Sequence, residues 1–304
     1  MRAEIDQPKN PGKLKVWLLA ARLPTLPAAI SPVLVGTAVG AAETRFHPLL
    51  FIAALVASLL IQVGTNFAND YYDFHKGADT ADRLGPVRVT QSGLISAEQV
   101  KRAALLTFGL ALLIGIYLVA ETGWPILVIG VLSIVCGIAY TGGPWPLGYH
   151  GLGDLFVFIF FGVLAVSGSA YLQSGVFDRL ALLCSLPVGL LVTNILVVNN
   201  LRDLRTDQLT GKRTLAVRIG DRLSRQQYLL FVVIAYLTPL LVWLLGWSTP
   251  WVLLSWLSLP LAVALALTVG GDAAGPKLNP VLKRTGQLHL AFGILFAIGL
   301  FLGV

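Results

Sequence analysis

Two groups of acidic and amide side chains are spaced so that each would line one face of a helix. The first stripe is Asn66, Asp70 and Asp73, and the second stripe is Asn199, Asp203 and Asp207. Residues three or four positions apart share a helix face, so aligned carboxylates repel one another unless a cation offsets their charge. Carboxylate and amide oxygens favour hard cations, and Mg²⁺ is usually shared between a few carboxylates and substrate phosphates. Two stripes at one cavity mouth would therefore hold Mg²⁺ and a diphosphate between them.

The alternative is that these acids only solvate two helix ends. The whole chain has only 15 Asp and Glu residues, and two stripes at matching positions, each with an asparagine, favour a site. Asn69 lies one turn before Asp73 and is a further candidate.

Basic residues stand beside both stripes. They are Lys76, Arg83 and Arg88 after the first, and Arg202, Arg205, Lys212 and Arg213 in or after the second. Phosphate oxygens require such donors, and arginine supplies bidentate geometry. The alternative is that the charges only orient the chain in a membrane, and Lys212 and Arg213 are the best candidates for a functional role.

A segment rich in glycine and proline, 140–154, has no Lys or Arg. Its aromatic and ionisable side chains are Tyr140, Trp145, Tyr149, His150 and Asp154. This composition predicts a lid or pocket wall, and the alternative is a tight turn with aromatic anchors at a membrane interface.

The elements that must position these residues are hydrophobic helices. Of the 304 residues, 56% are hydrophobic and only 12% are charged, about half the charged fraction of roughly 25% in soluble domains. Crossing a bilayer takes about 20 apolar residues. Nine segments qualify: 24–43, 48–68, 103–121, 124–141, 153–174, 180–200, 227–246, 250–269 and 287–304. We therefore expect an all-α polytopic membrane protein of about nine transmembrane helices around a central cavity.

The basic residues orient this arrangement. Among 22 Lys and Arg residues, only Arg45 and Arg179 fall on one of the two predicted faces. The positive-inside rule then places the N-terminus and both stripes in the cytoplasm and the C-terminus outside. The net charge of +7 is explained by this asymmetry, so no nucleic-acid partner is expected.

A single membrane domain, 16–304, follows a cytoplasmic tail, 1–15, in this interpretation. The stripes end the second helix of each block of four, so 16–141 and 152–269 are possible repeats, followed by a ninth helix at 287–304.

The stripes stand within recognisable motifs, which are NDYYD followed by GAD, with DLRTD and GKRT downstream. In these motifs the sequence resembles the UbiA superfamily of intramembrane aromatic prenyltransferases. More narrowly, RLPTLPAAISPVLVG, DRLGPVRVTQSGLIS and YTGGPWPLGYHGLGDLFVFIFFG are similar to the 1,4-dihydroxy-2-naphthoate prenyltransferases of menaquinone and phylloquinone synthesis.

The resemblance implies which residues form the site. Asn69, Asp70 and Asp73 fall on the family's first Asp-rich motif, Asp203 and Asp207 on its second, and Lys212 on the lysine that follows it. Where many relatives have a third acid four residues beyond Asp73, this chain has Gly77, and Asp79 follows as the substitute metal ligand.

The implied reaction is Mg²⁺-dependent transfer of a prenyl group from an isoprenoid diphosphate to 1,4-dihydroxy-2-naphthoate, with loss of CO₂ and diphosphate. Tyr140 could stabilise an allylic cation through its ring. Arg22 could bind the carboxylate of the acceptor, or could snorkel to the interface. The implied location is a bacterial-type cytoplasmic membrane.

Three alternatives remain at this point. Sister enzymes that prenylate 4-hydroxybenzoate, homogentisate, haem or chlorophyllide share the Asp motifs but lack the YTGGPWPLGYHGLGD segment. A secondary transporter would place charges near the bilayer midplane rather than at helix ends. A structural scaffold would not need two aligned acidic stripes.

Overall fold

The computed structural model describes residues 12–77 and 84–303 of the chain. All secondary structure in these residues is helical, as predicted. The α-helices are α1 (Lys13–Ala21), α2 (Pro27–Glu43), α3 (Pro48–His75), α4 (Ala97–Thr122), α5 (Trp124–Ala139), α6 (Gly153–Val157), α7 (Ala165–Ser174), α8 (Arg179–Leu209), α9 (Leu215–Leu244), α10 (Leu259–Gly270) and α11 (Asn279–Phe301). A π-helical segment, Phe158–Leu164, joins α6 to α7, and shorter 3₁₀ helices include Pro250–Ser258 before α10.

Seven helical segments within the described residues are long and apolar enough to cross a membrane. They are Pro48–His75, Ala97–Thr122, Gly153–Ser174, Arg179–Leu209, Leu215–Leu244, Pro250–Gly270 and Gly275–Phe301. Lys13–Thr25 and Pro27–Glu43 form an eighth candidate that bends by 50°. The chain is therefore an integral membrane protein, although the prediction of about nine spans is slightly higher than this count.

The fourth predicted span, 124–141, accounts for the difference, because it corresponds to α5, which is apolar but has only 16 residues. It follows α4 after the single residue Gly123, and the loop after it returns to the end of α3, where the Thr141 hydroxyl donates to Asn69 Oδ1 at 2.7 Å. The helix therefore leads back to the side of the molecule where α3 and α8 end, here called the stripe side. At about 1.5 Å per residue it covers only about 24 Å.

Local capping groups define several helix starts. The Ser96 side chain accepts from the Gln99 amide in a capping box before α4, and Asp178 accepts from the first amides of α8. Such groups satisfy backbone donors that have no partner inside the helix. The last helix, α11, begins at Asn279 rather than at 287, because a helix continues past the membrane boundary where basic residues interrupt the apolar run.

The second stripe lies on the most enclosed span. In α8, 72% of the most apolar window is buried, against 22% in α3 and 28% in α4. α8 therefore packs at the centre, largely against α9, while α3 and α4 present much of their surface to lipid.

A second close packing joins α2 to α7. A Cβ atom on Gly36 would lie 2.1 Å from the Val166 carbonyl oxygen, and one on Gly40 would lie 2.3 Å from that of Ala170. Only glycine permits this approach, which is the small-residue packing common between membrane helices.

Nothing in the fold tests the division into a tail, one domain and two four-helix repeats, which stays a prediction. Residues 1–11 lie outside the described residues, and α1 begins at Lys13, within the segment 1–15 assigned to the tail.

Candidate active site

The first stripe occupies the last turns of α3 and is buried. Asp70 is 1% exposed and Asp73 is 2% exposed. Asp73 accepts a hydrogen bond on Oδ2 from Arg88 Nη2 at 2.8 Å and one on Oδ1 from the Tyr149 hydroxyl at 2.6 Å. The carboxylate is thus held by a buried arginine and by a side chain of the 140–154 segment, and charge-assisted bonds of this kind offset the cost of burial.

Asp70 has a different environment. The Arg22 charge, the Thr90 side chain and the backbone of Val89 and Thr90 all lie close to its carboxylate. Its Oδ1 atom is buried without a hydrogen-bond partner among the described residues. A buried carboxylate oxygen without a partner is costly, so this atom fits a metal ligand.

The asparagines near the first stripe connect elements. Asn66 Nδ2 donates to the Ala21 carbonyl at 3.0 Å and to Thr25 Oγ1 at 2.9 Å, at the bend between α1 and α2. Asn69 Oδ1 accepts from Thr141. The helix end is therefore joined both to the first bend and to the loop after α5.

The second stripe extends α8 to Leu209, so its three residues share one continuous helix, as the spacing predicts. Arg202 donates to both carboxylate oxygens of Asp203, through Nε at 2.8 Å and through Nη2, and also to Asn199 Oδ1 at 3.0 Å. Asp207 lies half-buried one turn further on, and its carbonyl accepts from the Lys212 amide at 2.9 Å.

Tyr149 links the two stripes. Its hydroxyl donates to Asp73, and the ammonium group of Lys212, just after the second stripe, lies 4.6 Å from the centre of its ring. The Tyr149 carbonyl also accepts from the Arg213 amide at 3.0 Å. The 140–154 segment therefore contacts the first stripe and the residues that follow the second.

Tyr140 lies near both stripes as well. Burial raises the pKa of its phenol above the ordinary value, and the carboxylates of Asp154, Asp73 and Asp207 raise it further. The group is therefore a neutral phenol that lies close to carboxylates of both stripes. A bulkier residue than glycine at 153 would press on its hydroxyl, since a Cβ there would lie 2.9 Å away.

Other predicted site residues have local partners. Asp154 accepts from Gln227 Nε2 at 3.0 Å through one oxygen, and its Oδ2 is buried without a partner. The His150 ring stacks on Trp145 at 4.4 Å, and its Nδ1 contacts the Pro146 carbonyl at 2.8 Å. Both contacts of His150 thus lie within the turn itself.

Two predicted residues, Asp79 and Arg83, lie outside the described residues. Within 12–77 and 84–303, no three Asp, Glu, His or Cys residues converge as a ready metal cluster. The stripes thus contribute separate acids on two helices, which suits a cation bridged to a polyanion better than an ion enclosed by protein ligands alone.

Sequence patterns did not indicate several contacts of the site. Thr141, Asn279 and Gln227 each bind a predicted site residue or its neighbour, but they are single polar residues with no distinctive spacing. Arg88 was one of several basic candidates, and only the fold turns it onto Asp73.

Comparison with known proteins identifies the family of the chain. The UbiA prenyltransferase family matches residues 29–277. The chain is 38% identical to the 1,4-dihydroxy-2-naphthoate octaprenyltransferase of Escherichia coli, over 95% of this chain and 96% of that protein. It is 31% identical to the 2-carboxy-1,4-naphthoquinone phytyltransferase of Synechocystis sp., over 95% and 94% of the two chains.

A solved structure shares the fold. A UbiA homologue from Archaeoglobus fulgidus bound to DMAPP and Mg²⁺ superposes with a TM-score of 0.68 at 15% identity, covering 95% of this chain and 99% of that one.

Proposed function

The chain belongs to the UbiA prenyltransferase family, and on that basis we propose that it transfers a prenyl group from an isoprenoid diphosphate to 1,4-dihydroxy-2-naphthoate. The C–O bond of the donor breaks and diphosphate leaves, an acceptor ring carbon forms the new C–C bond, and the ring carboxyl leaves as CO₂. The product is a demethylmenaquinone or demethylphylloquinone precursor. The 38% identity to an enzyme named for this acceptor, over nearly all of both chains, carries the proposal.

The residues proposed as ligands of Mg²⁺ are Asn69, Asp70, Asp73, Asp79, Asn199, Asp203 and Asp207. They supply oxygen atoms only, which suits this ion, and the unpartnered oxygen of Asp70 supports the assignment. The A. fulgidus homologue was solved with DMAPP and Mg²⁺ together. When bound, Mg²⁺ would neutralise charge on the leaving diphosphate.

Other residues would bind and orient the two substrates. Lys212, Arg213 and Arg83 are the proposed phosphate donors, whereas Arg22, His150 and Asp154 are proposed to contact the acceptor or its pocket. Tyr149 orients Asp73 through its hydroxyl. The neutral ring of Tyr140, beside carboxylates of both stripes, would stabilise positive charge on the allylic carbon.

The membrane location suits this chemistry, because the donor tail and the product are both insoluble in water. We propose a bacterial-type cytoplasmic membrane, with the N-terminus and the stripe side facing the cytoplasm and the C-terminus outside. The excess of Lys and Arg on the stripe side supports this orientation.

The decisive assay uses purified protein with 1,4-dihydroxy-2-naphthoate and a panel of geranyl, farnesyl, octaprenyl, solanesyl and phytyl diphosphates, with products identified by mass. We expect a prenylated product that has lost CO₂. Activity should disappear in EDTA and return with Mg²⁺, because the acids alone would repel a diphosphate.

The same assay tests the alternatives. Preferred turnover of 4-hydroxybenzoate or homogentisate would replace the proposed acceptor, and full turnover in chelator would remove the proposed role of the two stripes. Product yields across the panel would show which prenyl tails the protein accepts.

A further inference from the structure

Arg202 stands inside the second stripe, yet its side chain does not face the substrate space. The side chain is 0% exposed, whereas that of its neighbour Asp203 is 14% exposed. A phosphate donor must reach its ligand, so the burial of Arg202 argues against direct phosphate binding. Its guanidinium must serve another purpose.

The contacts of Arg202 indicate that purpose, because all three nitrogen atoms of its planar guanidinium donate hydrogen bonds. Nε and Nη2 bind the two oxygens of Asp203, and Nη2 also donates to Asn199 Oδ1 at 3.0 Å. Nη1 donates to Asn279 Oδ1 at 3.1 Å, on the first turn of α11. One side chain therefore fixes two residues of the second stripe and ties them to the last helix. Lysine could not make this set of contacts, since it presents a single point charge.

Asn279 continues the connection. Its Nδ2 donates to the Leu84 carbonyl at 3.1 Å, and the chain from Leu84 leads within four residues to Arg88, which pairs with Asp73 at 2.8 Å. A continuous path of polar contacts and a short backbone segment thus connects Asp203 in the second stripe with Asp73 in the first.

We propose that Arg202 is a positioning residue for the metal–diphosphate site. Asn279, which binds both Arg202 and the Leu84 carbonyl, holds the loop that carries Arg88 in place relative to the second stripe. The proposal rests on the proposed function, in which both stripes hold Mg²⁺ and diphosphate. Arg202 keeps the Asp203 carboxylate in one orientation and offsets its charge before substrate arrives. A bidentate partner behind a carboxylate leaves its outer lone pairs directed at the site.

The test compares Arg202→Lys with a matched control, Arg225→Lys. Arg225 also makes a two-point ion pair, with Asp221 at 2.7 and 2.9 Å, on the stripe side but outside both stripes. The melting temperature of each purified protein is measured against Mg²⁺ concentration in the presence of inorganic pyrophosphate, and prenyl transfer is measured in parallel. The concentration of Mg²⁺ that gives half of the thermal shift is the principal readout.

We expect Arg202→Lys to raise the half-saturating Mg²⁺ concentration about tenfold, as loss of a group behind a metal ligand commonly does. Arg225→Lys should lower the melting temperature without ligand but leave the Mg²⁺ midpoint unchanged. Asn279→Ala should raise the midpoint less, and the double variant Arg202→Lys, Asn279→Ala should be no worse than Arg202→Lys alone, because both act through one path. Lys283→Ala, one turn further along α11, is the control for Asn279.

A wild-type midpoint in Arg202→Lys, or an equal shift in Arg225→Lys, would overturn the positioning role. If Arg202→Lys does not fold, Asn279→Ala decides alone: a raised midpoint supports the proposal and an unchanged one rejects it. Wild-type protein that transfers no prenyl group and shows no Mg²⁺-dependent shift with pyrophosphate would instead contradict the proposed function.

Discussion

Asp73 is held from two sides, by the Arg88 guanidinium and by the Tyr149 hydroxyl. Asp203 is held by the single side chain of Arg202. Each acid thus has a defined orientation before any substrate is present, although the partners of Asp73 come from other segments and Arg202 is the neighbour of Asp203 in the chain. At the scale of the residue, the site consists of acids whose charge is already partly offset by the protein.

Replacing one acid in each stripe by its amide tests whether they act together. Asp73→Asn and Asp203→Asn keep the side-chain size but remove the charge. If both acids hold Mg²⁺ and diphosphate, each change should lower kcat by about 100-fold or more, or about 2.7 kcal/mol. The double variant should be hardly worse than the worse single variant, because members of one catalytic unit are not additive.

Rates for these variants must be measured well below their melting temperatures, since each change also weakens an ion pair. Asp221→Asn is the control, because it weakens the pair with Arg225 at a carboxylate that is 54% exposed and outside the stripes. Near-normal rates in folded Asp73→Asn and Asp203→Asn would mean that the stripes only solvate helix ends.

The two contacts of Tyr149, with Asp73 and with Lys212, can be tested by separate substitutions. Tyr149→Phe removes the donor to Asp73 but keeps the ring under Lys212. It should lower kcat about tenfold or more, since a hydrogen bond to a charged group contributes about 1.5–3 kcal/mol. Tyr149→Leu removes the ring as well and should lower it further, by a factor of about five for an exposed cation–π contact.

The control for Tyr149 is Tyr171→Phe. The Tyr171 hydroxyl donates to the Thr122 carbonyl at 3.0 Å, away from the stripe side, so this change should alter stability and not rate. Equal rates for wild type and Tyr149→Leu would show that the 140–154 segment is only a turn.

At the scale of the helix, the spacing of acids was more informative than the length of apolar runs. The stripes predicted that two helices continue beyond the apolar core, and α3 and α8 do continue to His75 and Leu209. The contacts of Arg202 were not predictable, because a basic residue beside an acidic stripe is compatible with binding phosphate or with binding its neighbour. The fold shows that Arg202 binds its neighbour Asp203 and, through Asn279, the first turn of α11.

The position of Arg22, at the first bend of the described chain, was also not predictable from the sequence. The apolar run of 24–43 predicted a span, and α2 occupies most of it, but the run did not indicate the helix α1 before it or the 50° bend between the two. Arg22 adopts a left-handed backbone conformation at this bend, with φ 53°, and its charge lies near Asp70. Hydropathy registers the length of a span but not a break in it, so this placement required the fold.

The packing of α2 on α7 leads to a test of element stability. Gly36→Ala would place a methyl group within 2.1 Å of the Val166 carbonyl oxygen, and such overpacking costs about 1–3 kcal/mol. We expect a clearly lower melting temperature in detergent. Gly109→Ala on α4 is the control, since no atom lies within 4 Å of its added Cβ, and it should leave the melting temperature unchanged or slightly raised. Equal effects of the two changes would contradict the close contact.

At the scale of the whole molecule, the arrangement of charge predicts an orientation in the membrane. Among the described Lys and Arg residues, Arg45 and Arg179 alone belong to the side opposite the stripes, next to the α2–α3 and α7–α8 connections. The stripes, the 140–154 segment and the start of α11 all meet on the other, basic side. Substrates and metal would therefore arrive from one compartment only.

Cysteine labelling tests this orientation in intact cells. After replacement of Cys136 and Cys184 by alanine, a cysteine at Arg45 or Val176 should react with an impermeant reagent added outside. A cysteine at Ser92 or Gln208 should react only after the membrane is opened. The reverse pattern would place the stripes in the compartment opposite to the cytoplasm and exclude cytoplasmic substrates.

The shortness of α5 has a mechanical consequence for the surrounding lipid. Its 16 residues cover about 24 Å, whereas the hydrocarbon core of a typical bilayer is about 30 Å thick. The bilayer beside α5 would therefore become thinner, at a cost that rises with the mismatch in thickness and so with acyl-chain length. Because the 140–154 segment directly follows this helix, a thicker bilayer would shift the end of α5 and pull Tyr140 and Tyr149 away from the stripes.

Prenyl transfer should consequently depend on bilayer thickness. In liposomes of phosphatidylcholines with progressively longer acyl chains, we expect the rate to fall in the thickest bilayers while the melting temperature changes little. A rate that is independent of chain length would show that α5 and the segment after it do not respond to the thickness of the membrane. If the dependence is found, the lipid composition of the host membrane would regulate how fast this protein makes its product.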